Sequence, residues 1–427
     1  MSQYRFMGFQ IGFGEIEITP PLGVELSGYG IYLGRKAVGI LDPLYSQAVY
    51  FEQGGFRLVI ISNDLIGINS KTLEKTRSLL LENLGVKNSI IVATHTHSGP
   101  ATVFMRGWGE VDPNYVKMLP RKFLEATKQA SKSLKNALVG FTRIRVEDVC
   151  SNRVVRGGAV DPYLSVLSFA NSEHKPLVTL FNYSCHAVCI DMRTKDGKKI
   201  SADWPGQAKK FINEKTGSHA IFLQGTCGDI DPLVAWKMRG IEAARETGEI
   251  IGSATVKALG KIEYEKLSVL KFITKKIFLP FQKLTYETVL EDLVEALEKR
   301  GTDPKAVRFY TEWAKSMVYK IKSNYPEGIS AEISALRIND TVLVFLPGEV
   351  FVEIGLEIKR RSPFENTVVV GYSGPWIGYI PTKEDFRRKG YAAHMVPKIS
   401  DYPPFVENVG EIVIDNALNM IEELKGE

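Results

Sequence analysis

Ile90–Ile91–Val92–Ala93–Thr94–His95–Thr96–His97–Ser98–Gly99–Pro100 is the stretch from which the fold can be read. Its first half, Ile90–Thr94, is apolar or β-branched and predicts a buried strand. Its second half is loop chemistry: two histidines, a serine, a glycine and a proline. In an open α/β sheet, ligands collect where strands end and loops begin. His95 and His97 are two apart, so extended backbone aims both imidazoles the same way. Two imidazoles at a strand end can bind one metal ion, or one can bind while the other moves protons. A surface loop that happens to hold two histidines is the competing reading of this stretch taken alone.

Working outward, Ser70–Leu84 reads as a helix capped by Ser70, with Leu73, Thr76, Leu80 and Leu81 on one face. Before it, Gln47–Phe51 and Phe56–Ser62 read as paired strands joined at Gly54–Gly55, the second ending at Asn63–Asp64. Strand, helix and strand without a hairpin turn imply a parallel βαβ unit. Residues 8–32 are glycine-rich and read as short strands and turns. Downstream, Tyr115–Ala137 reads as a long helix interrupted at Pro120. Strands are expected at Phe141–Val146, Leu164–Ala170, Leu177–Asn182 and Ala220–Gln224. A helix opens near Asp203 as its cap, and another spans Ile241–Gly260. Ala331–Ile338 and Thr341–Leu346 form a hairpin over Asn339–Asp340, followed by a helix to Arg361, a strand at Thr367–Tyr372 and a helix from about Val406.

The expected class is α/β, with mixed, partly parallel sheets covered by helices. Length alone suggests about three domains at roughly 150 residues each. The continuity of the pattern favours one catalytic domain over 1–427. Within it, 283–323 alternates charged and apolar residues at helical spacing, split by Gly301–Thr302–Asp303–Pro304. That segment is a helical hairpin insertion, either a lid or a packing arm. No internal repeat is legible.

Composition is that of an ordinary globular chain: 427 residues, 44% hydrophobic and 24% charged. A net charge of +5 without a dominant basic run excludes nucleic acid as the implied partner. The start, Met1–Met7, lacks the pattern of a secretion leader, and no apolar run reaches the roughly 18 residues that span a bilayer. The expectation is a cytoplasmic protein with no membrane partner. Its four cysteines, Cys150, Cys185, Cys189 and Cys227, are expected as reduced, packed thiols rather than zinc ligands.

Polar residues close the apolar runs at Asp64, His95, His97, His186, Asp229, Asp231 and Glu349. The chain has six histidines, and three of them stand at these ends. His174, His219 and His394 lie in polar turns. Two or three imidazoles and one carboxylate, with an open position, make the pattern of a catalytic zinc site.

At this point the chain resembles the neutral ceramidases, zinc amidases that cleave the amide of N-acyl-sphingosine. Thr94–His95–Thr96–His97–Ser98–Gly99–Pro100 is similar to their signature. Collinear pieces follow at Ser151–Asn152–Arg153, Asn182–His186, Ser201–Gly206, Gly228–Pro232, Pro347–Glu349 and Tyr379–Phe386, with Tyr391 beyond. The resemblance implies Zn2+ held by His95, His186, Glu349 and Tyr379. It implies His97 as the general base, with Tyr391 and Arg153 steadying the oxyanion. Asp231 stands where the family has a serine and is expected in substrate binding or in orienting a ligand histidine. The family's C-terminal β-sandwich and secretion signal have no counterpart in the sequence. Both departures point to a small polar substrate rather than membrane ceramide.

The implied reaction is amide hydrolysis of an N-acyl compound. The same centre serves ring-opening C–C hydrolysis of a cyclic diketone such as a diketo-inositol, which would place the chain in carbohydrate metabolism. A non-catalytic sugar- or metal-binding protein is the third reading.

Overall fold

The structure, a computed structural model, describes residues 8–301 and 303–426. Met1–Met7, read above for the absence of a leader, and Thr302 of the hairpin's turn lie outside the described residues.

One plan occurs three times along the chain. Strands β1 (Gln10–Glu17), β2 (Tyr45–Gln53) and β3 (Phe56–Asn63) form an antiparallel meander. Helix α1 (Ser70–Leu84) then crosses to β4 (Asn88–Ala93), which lies parallel to β3, and α2 (Pro113–Lys132) follows. The second pass runs β5 (Leu138–Arg145), β6 (Tyr163–Ala170), β7 (Pro176–Tyr183), α3 (Asp203–Thr216), β8 (His219–Gln224) and α4 (Ile241–Leu259), with β7 and β8 parallel. The third begins at β9 (Leu270–Pro280), which is followed by helices α5 (Tyr286–Arg300) and α6 (Pro304–Lys322). It resumes with β10 (Gly328–Ile338), β11 (Thr341–Phe345), α7 (Val352–Arg361), β12 (Asn366–Val370) and α8 (Val409–Glu423), with β11 and β12 parallel. The expected α/β class with partly parallel sheets is the one observed. The repetition escaped the sequence because it resides in topology. A sheet position accepts any apolar residue of fitting size, so three passes can share a path without sharing residues.

The three sheets put one face each into a common centre. Phe51, Ile60 and Val92 meet Phe169, Leu180 and Leu223 of the second sheet and Leu336, Phe345 and Val370 of the third. The other faces carry helices. Tyr50, Val59 and Ile91 pack on α1 and α2 through Leu80 and Phe123. Val166, Phe181 and Phe222 pack on α3 and α4 through Ile212 and Ile251. Val342, Val344 and Val369 pack on α7 and α8 through Ile358 and Val413. Strands covered on both sides read as unbroken apolar runs, which is why Leu58–Ile61 and Ile90–Ala93 were legible. His95, His186, Cys227, Glu349 and Tyr372 all lie just beyond the carboxyl ends of the parallel strands.

Several local expectations are corrected. Glycine-rich 8–32, expected as short strands and turns, opens with the eight-residue strand β1, longer than expected. A Cβ on Gly12 would stand 1.9 Å from the Ala130 carbonyl oxygen, so the glycine serves close approach to α2 rather than a turn. Helix α2 runs on through Pro120, with Leu119, Phe123 and Leu124 buried around it, and ends at Lys132 rather than Ala137. There Lys135–Asn136 joins the edge of β1. The cap of α1 is Asn69, not Ser70; its side chain accepts from the Thr72 amide at 2.8 Å. Strand β9 was not anticipated, because Lys271, Lys275 and Lys276 interrupt its apolar pattern. Lysines are the usual protection of a sheet edge, which is where β9 lies.

Helices α5 and α6 sit where two were expected. Phe309, Trp313 and Met317 pack against Ile66, Met105 and Trp376. The hairpin thus packs on the loops that carry Ile66, Met105 and Trp376.

Asp64, a candidate from its strand-end position, is engaged elsewhere. Lys209 of α3 donates to both its oxygens, at 2.8 and 2.9 Å, and the Tyr45 amide donates at 3.0 Å. The side chains are 7% and 1% exposed. This pair joins the first pass to the second. Lys209→Met strands a buried carboxylate and is expected to cost about 3–5 kcal/mol, read as a lowered urea midpoint at unchanged slope. Adding Asp64→Asn is expected to restore part of the loss.

Candidate metal centre and cavity

The loop after β4 departs from extended geometry at once. His95 has φ +64°, a left-handed conformation uncommon outside glycine. Extended backbone is therefore not what brings the two imidazoles together, though the side chains do meet. His95 Nε2 and His97 Nε2 are 3.1 Å apart. Thr96 bridges to Ala187, and the His97 amide donates to the Ala187 carbonyl at 3.1 Å, which sews this loop to the one carrying His186. Beneath it, Arg35 donates to the carbonyls of His97, Ser27 and Gly197 at 2.5, 2.9 and 2.7 Å.

Backbone carbonyls orient two of the rings. His95 Nδ1 donates to the Ile66 carbonyl at 2.7 Å, and His186 Nδ1 to that of Cys227 at 2.6 Å. Each Nε2 is left as a lone pair facing inward. Glu349 Oε2 lies 3.1 Å from His95 Nε2 and 3.5 Å from His186 Nε2. Its other oxygen accepts from Trp376 Nε1 at 3.0 Å. The Glu349 segment is set by parallel pairing with Tyr379–Ile380. It is also set by Asp229, whose carboxylate accepts from the Val352 amide and from Asn152 at 2.8 and 2.7 Å. Burial pushes the Asp229 pKa up to about 6.

His95, His97 and His186 are all buried, and their ligand atoms lie within 4.8 Å of one another. His186 Nε2, Glu349 Oε2 and His97 Nδ1 have no hydrogen-bond partner. A buried polar atom left so costs about 1–3 kcal/mol. The converging lone pairs and the orphaned carboxylate oxygen are what a divalent cation requires, so the residues fit a metal. Burial, then the neighbouring His95 and His186, hold the His97 imidazole well below its usual range. For Glu349 burial acts upward, but His95 and His186 outweigh it and hold the carboxyl well below the usual range.

The remaining candidates line a cavity of about 550 Å³ that also contains His97. Arg153 bridges three partners: Tyr379 Oη at 2.7 Å, the Gly228 carbonyl at 2.8 Å and Asp231 Oδ1 at 3.1 Å. Burial pushes the Tyr379 phenol well above its ordinary range, with Arg153 opposing. Tyr391 opens a single π-turn, 49% exposed, its ring edge-on to Tyr379 at 6.1 Å. Asp231 pairs with Arg153 instead of orienting a histidine. Its backbone pairs with Ser151, which sets both ends of that contact. No lining residue comes from 283–323, so among the described residues the hairpin forms no part of the cavity wall.

Sequence reasoning missed Trp376, Arg35 and Gly28. A Cβ on Gly28 would fall 2.4 Å from His97 Nδ1, so that glycine makes room for the imidazole. Its signal was the glycine-rich run, read as short strands and turns. Asp203, expected as the cap of α3, is instead its first residue; the cap position falls at Ala202, which makes no side-chain cap bond. Fully buried at φ +57°, Asp203 accepts from the Cys189, Ile190 and Trp204 amides and anchors the loop behind His186. All four cysteines are free and buried, as expected of packed thiols.

Comparison with known proteins follows the same lines. Residues 9–284 match the family model described as neutral/alkaline non-lysosomal ceramidase, N-terminal. A neutral ceramidase from Pseudomonas aeruginosa is 22% identical, aligned over 90% of this chain and 68% of its own length. The crystal structure of neutral ceramidase from that organism superposes with a TM-score of 0.74 at 18% identity, covering 98% of this chain and 75% of that one. A structure of a ceramidase complexed with C2 gives 0.75 with the same identity and coverage. Among the described residues no helix is long and apolar enough to cross a membrane.

Proposed function

Because the chain belongs to the neutral/alkaline non-lysosomal ceramidase family, we propose that it is a zinc-dependent amidase acting on a small polar N-acyl compound. That it is a hydrolase of the amidase type follows from the family. Zinc, the polar substrate and the roles of individual residues are the proposal. The convergence of His95, His97, His186 and Glu349 beside an arginine-lined cavity supports it.

His95, His186, Glu349 and Tyr379 would hold the metal. When bound, zinc acidifies water from a pKa of 15.7 to about 7 and polarises a carbonyl. His97, kept neutral by burial, accepts the proton of the attacking water and returns it to the leaving nitrogen. Arg153 and Tyr391 donate hydrogen bonds to the carbonyl oxygen as it gains charge. Arg153 is aimed for this by its three fixed partners. The charged wall favours a polar substrate over a lipid, since Arg153, Arg193, Arg239, Asp191 and Asp231 all line it.

Dialysis against a chelator is expected to lower amidase turnover at least about 100-fold, and stoichiometric zinc to restore it. The assay panel is N-acetylglucosamine, N-acyl amino acids, a short-chain ceramide and a diketo-inositol. Small amides are expected to be turned over best. Full activity in metal-free protein would overturn the zinc assignment. Preference for the ceramide would overturn the polar substrate, and preference for the diketo-inositol would replace amide hydrolysis by C–C hydrolysis.

A further inference from the structure

One part of the cavity wall plays no role in the chemistry above. Asp191 lies on the loop after His186, Trp236 in the short helical turn Val234–Lys237 that follows β8, and Arg239 just beyond that turn. Arg193 grips Asp191 with two hydrogen bonds, at 2.9 and 2.8 Å, and Arg239 donates to the same carboxylate. Asp191 is 14% exposed, whereas the two arginine side chains are 66% and 40% exposed. One carboxylate thus serves two guanidiniums. The second acid in the wall, Asp231, is taken by Arg153. The wall therefore holds one more cation than anions, and both exposed arginines keep unused N–H groups. Trp236, 57% exposed, stands beside them.

We propose that this cluster is the specificity site for a substrate carboxylate, so that the amide cleaved belongs to an N-acyl amino acid or a similar acid. The proposal rests on the amidase reading and adds the substrate's charge. A planar guanidinium fork matches a carboxylate in two hydrogen bonds, and the Asp191 pairing holds both forks in place beforehand. Arg153 and His97 line the same cavity, so one molecule can place its carboxylate at Arg193 and Arg239 and its amide at the catalytic groups. A volume of about 550 Å³ suits an acylated amino acid, since cavities of roughly 300–1,000 Å³ bury drug-sized ligands. Val154, Val188 and Phe351 in the same wall offer apolar contact to a short acyl chain.

The test compares N-hexanoylglycine with N-hexanoylglycinamide, which differ in charge and little in shape. Zinc-loaded wild-type enzyme is expected to prefer the acid by roughly 30-fold in kcat/KM. Arg239→Gln and Arg193→Gln are each expected to raise KM for the acid about tenfold and to shrink that preference. The same hydrolysis rate for both compounds overturns the carboxylate site and leaves the amidase reading standing. A preference that survives both substitutions overturns the assignment to these arginines. If neither compound is hydrolysed, titration calorimetry with N-hexanoylglycine tests the carboxylate site independently of the amidase reading. Binding that Arg239→Gln weakens upholds the carboxylate site; absence of binding overturns it.

Discussion

His97→Ala is expected to keep its metal and lose turnover by about 10²–10⁴-fold, whereas His95→Ala loses both. The two histidines stand two residues apart with Nε2 atoms 3.1 Å from each other, yet their surroundings differ. His95 Nδ1 is tied to the Ile66 carbonyl and its Nε2 faces Glu349, so its one free lone pair belongs to the metal site. His97 has no such tie. Its Nδ1 is unpartnered beside Gly28, and its ring lines the cavity shared with Arg153 and Tyr391. Burial keeps it neutral, which is the state a base needs. Elemental analysis alongside amide hydrolysis separates the roles. Metal loss in His97→Ala would make it a third imidazole ligand, an arrangement its closeness to the other two rings also permits. Wild-type turnover in that variant would remove it from the chemistry.

Arg153→Met is expected to lower kcat/KM by about 10²–10³-fold while leaving the metal content unchanged. The guanidinium joins Tyr379, Gly228 and Asp231 and presents its charge to the cavity. Asp231 and Tyr379 hold it as a cation: burial pulls its pKa down, and their attraction carries it well above the ordinary value. Arg153→Lys separates charge from shape. A lysine keeps the charge but cannot serve three partners in one plane, so it is expected to recover only part of the loss. A full recovery by lysine would mean that charge alone matters, and unchanged activity in both variants would dismiss the oxyanion role.

Much of this was open to reading residue by residue. Leu58–Ile61, Ile90–Ala93 and Thr341–Phe345 are apolar runs whose composition and length declare buried strands, whatever they pack against. His95, His186 and Glu349 were found because a polar residue closing such a run is a local feature. Asp64 and Asp231 have that same local feature and are engaged otherwise: one by Lys209, 145 positions away, the other by Arg153, 78 positions away. A strand end does not encode its partner.

The sequence by itself determined where chain direction changes and which groups of metal-binding chemistry stand there, since both follow from backbone period and residue type. Only the tertiary structure decided which of those groups share one point. It brought three sheets to a common centre and turned His95 left-handed. It supplied the Ile66 and Cys227 carbonyls that fix the imidazoles, and set Arg193 and Arg239 on one aspartate. Those are contacts between distant segments, and they form only when the apolar faces between them have been buried.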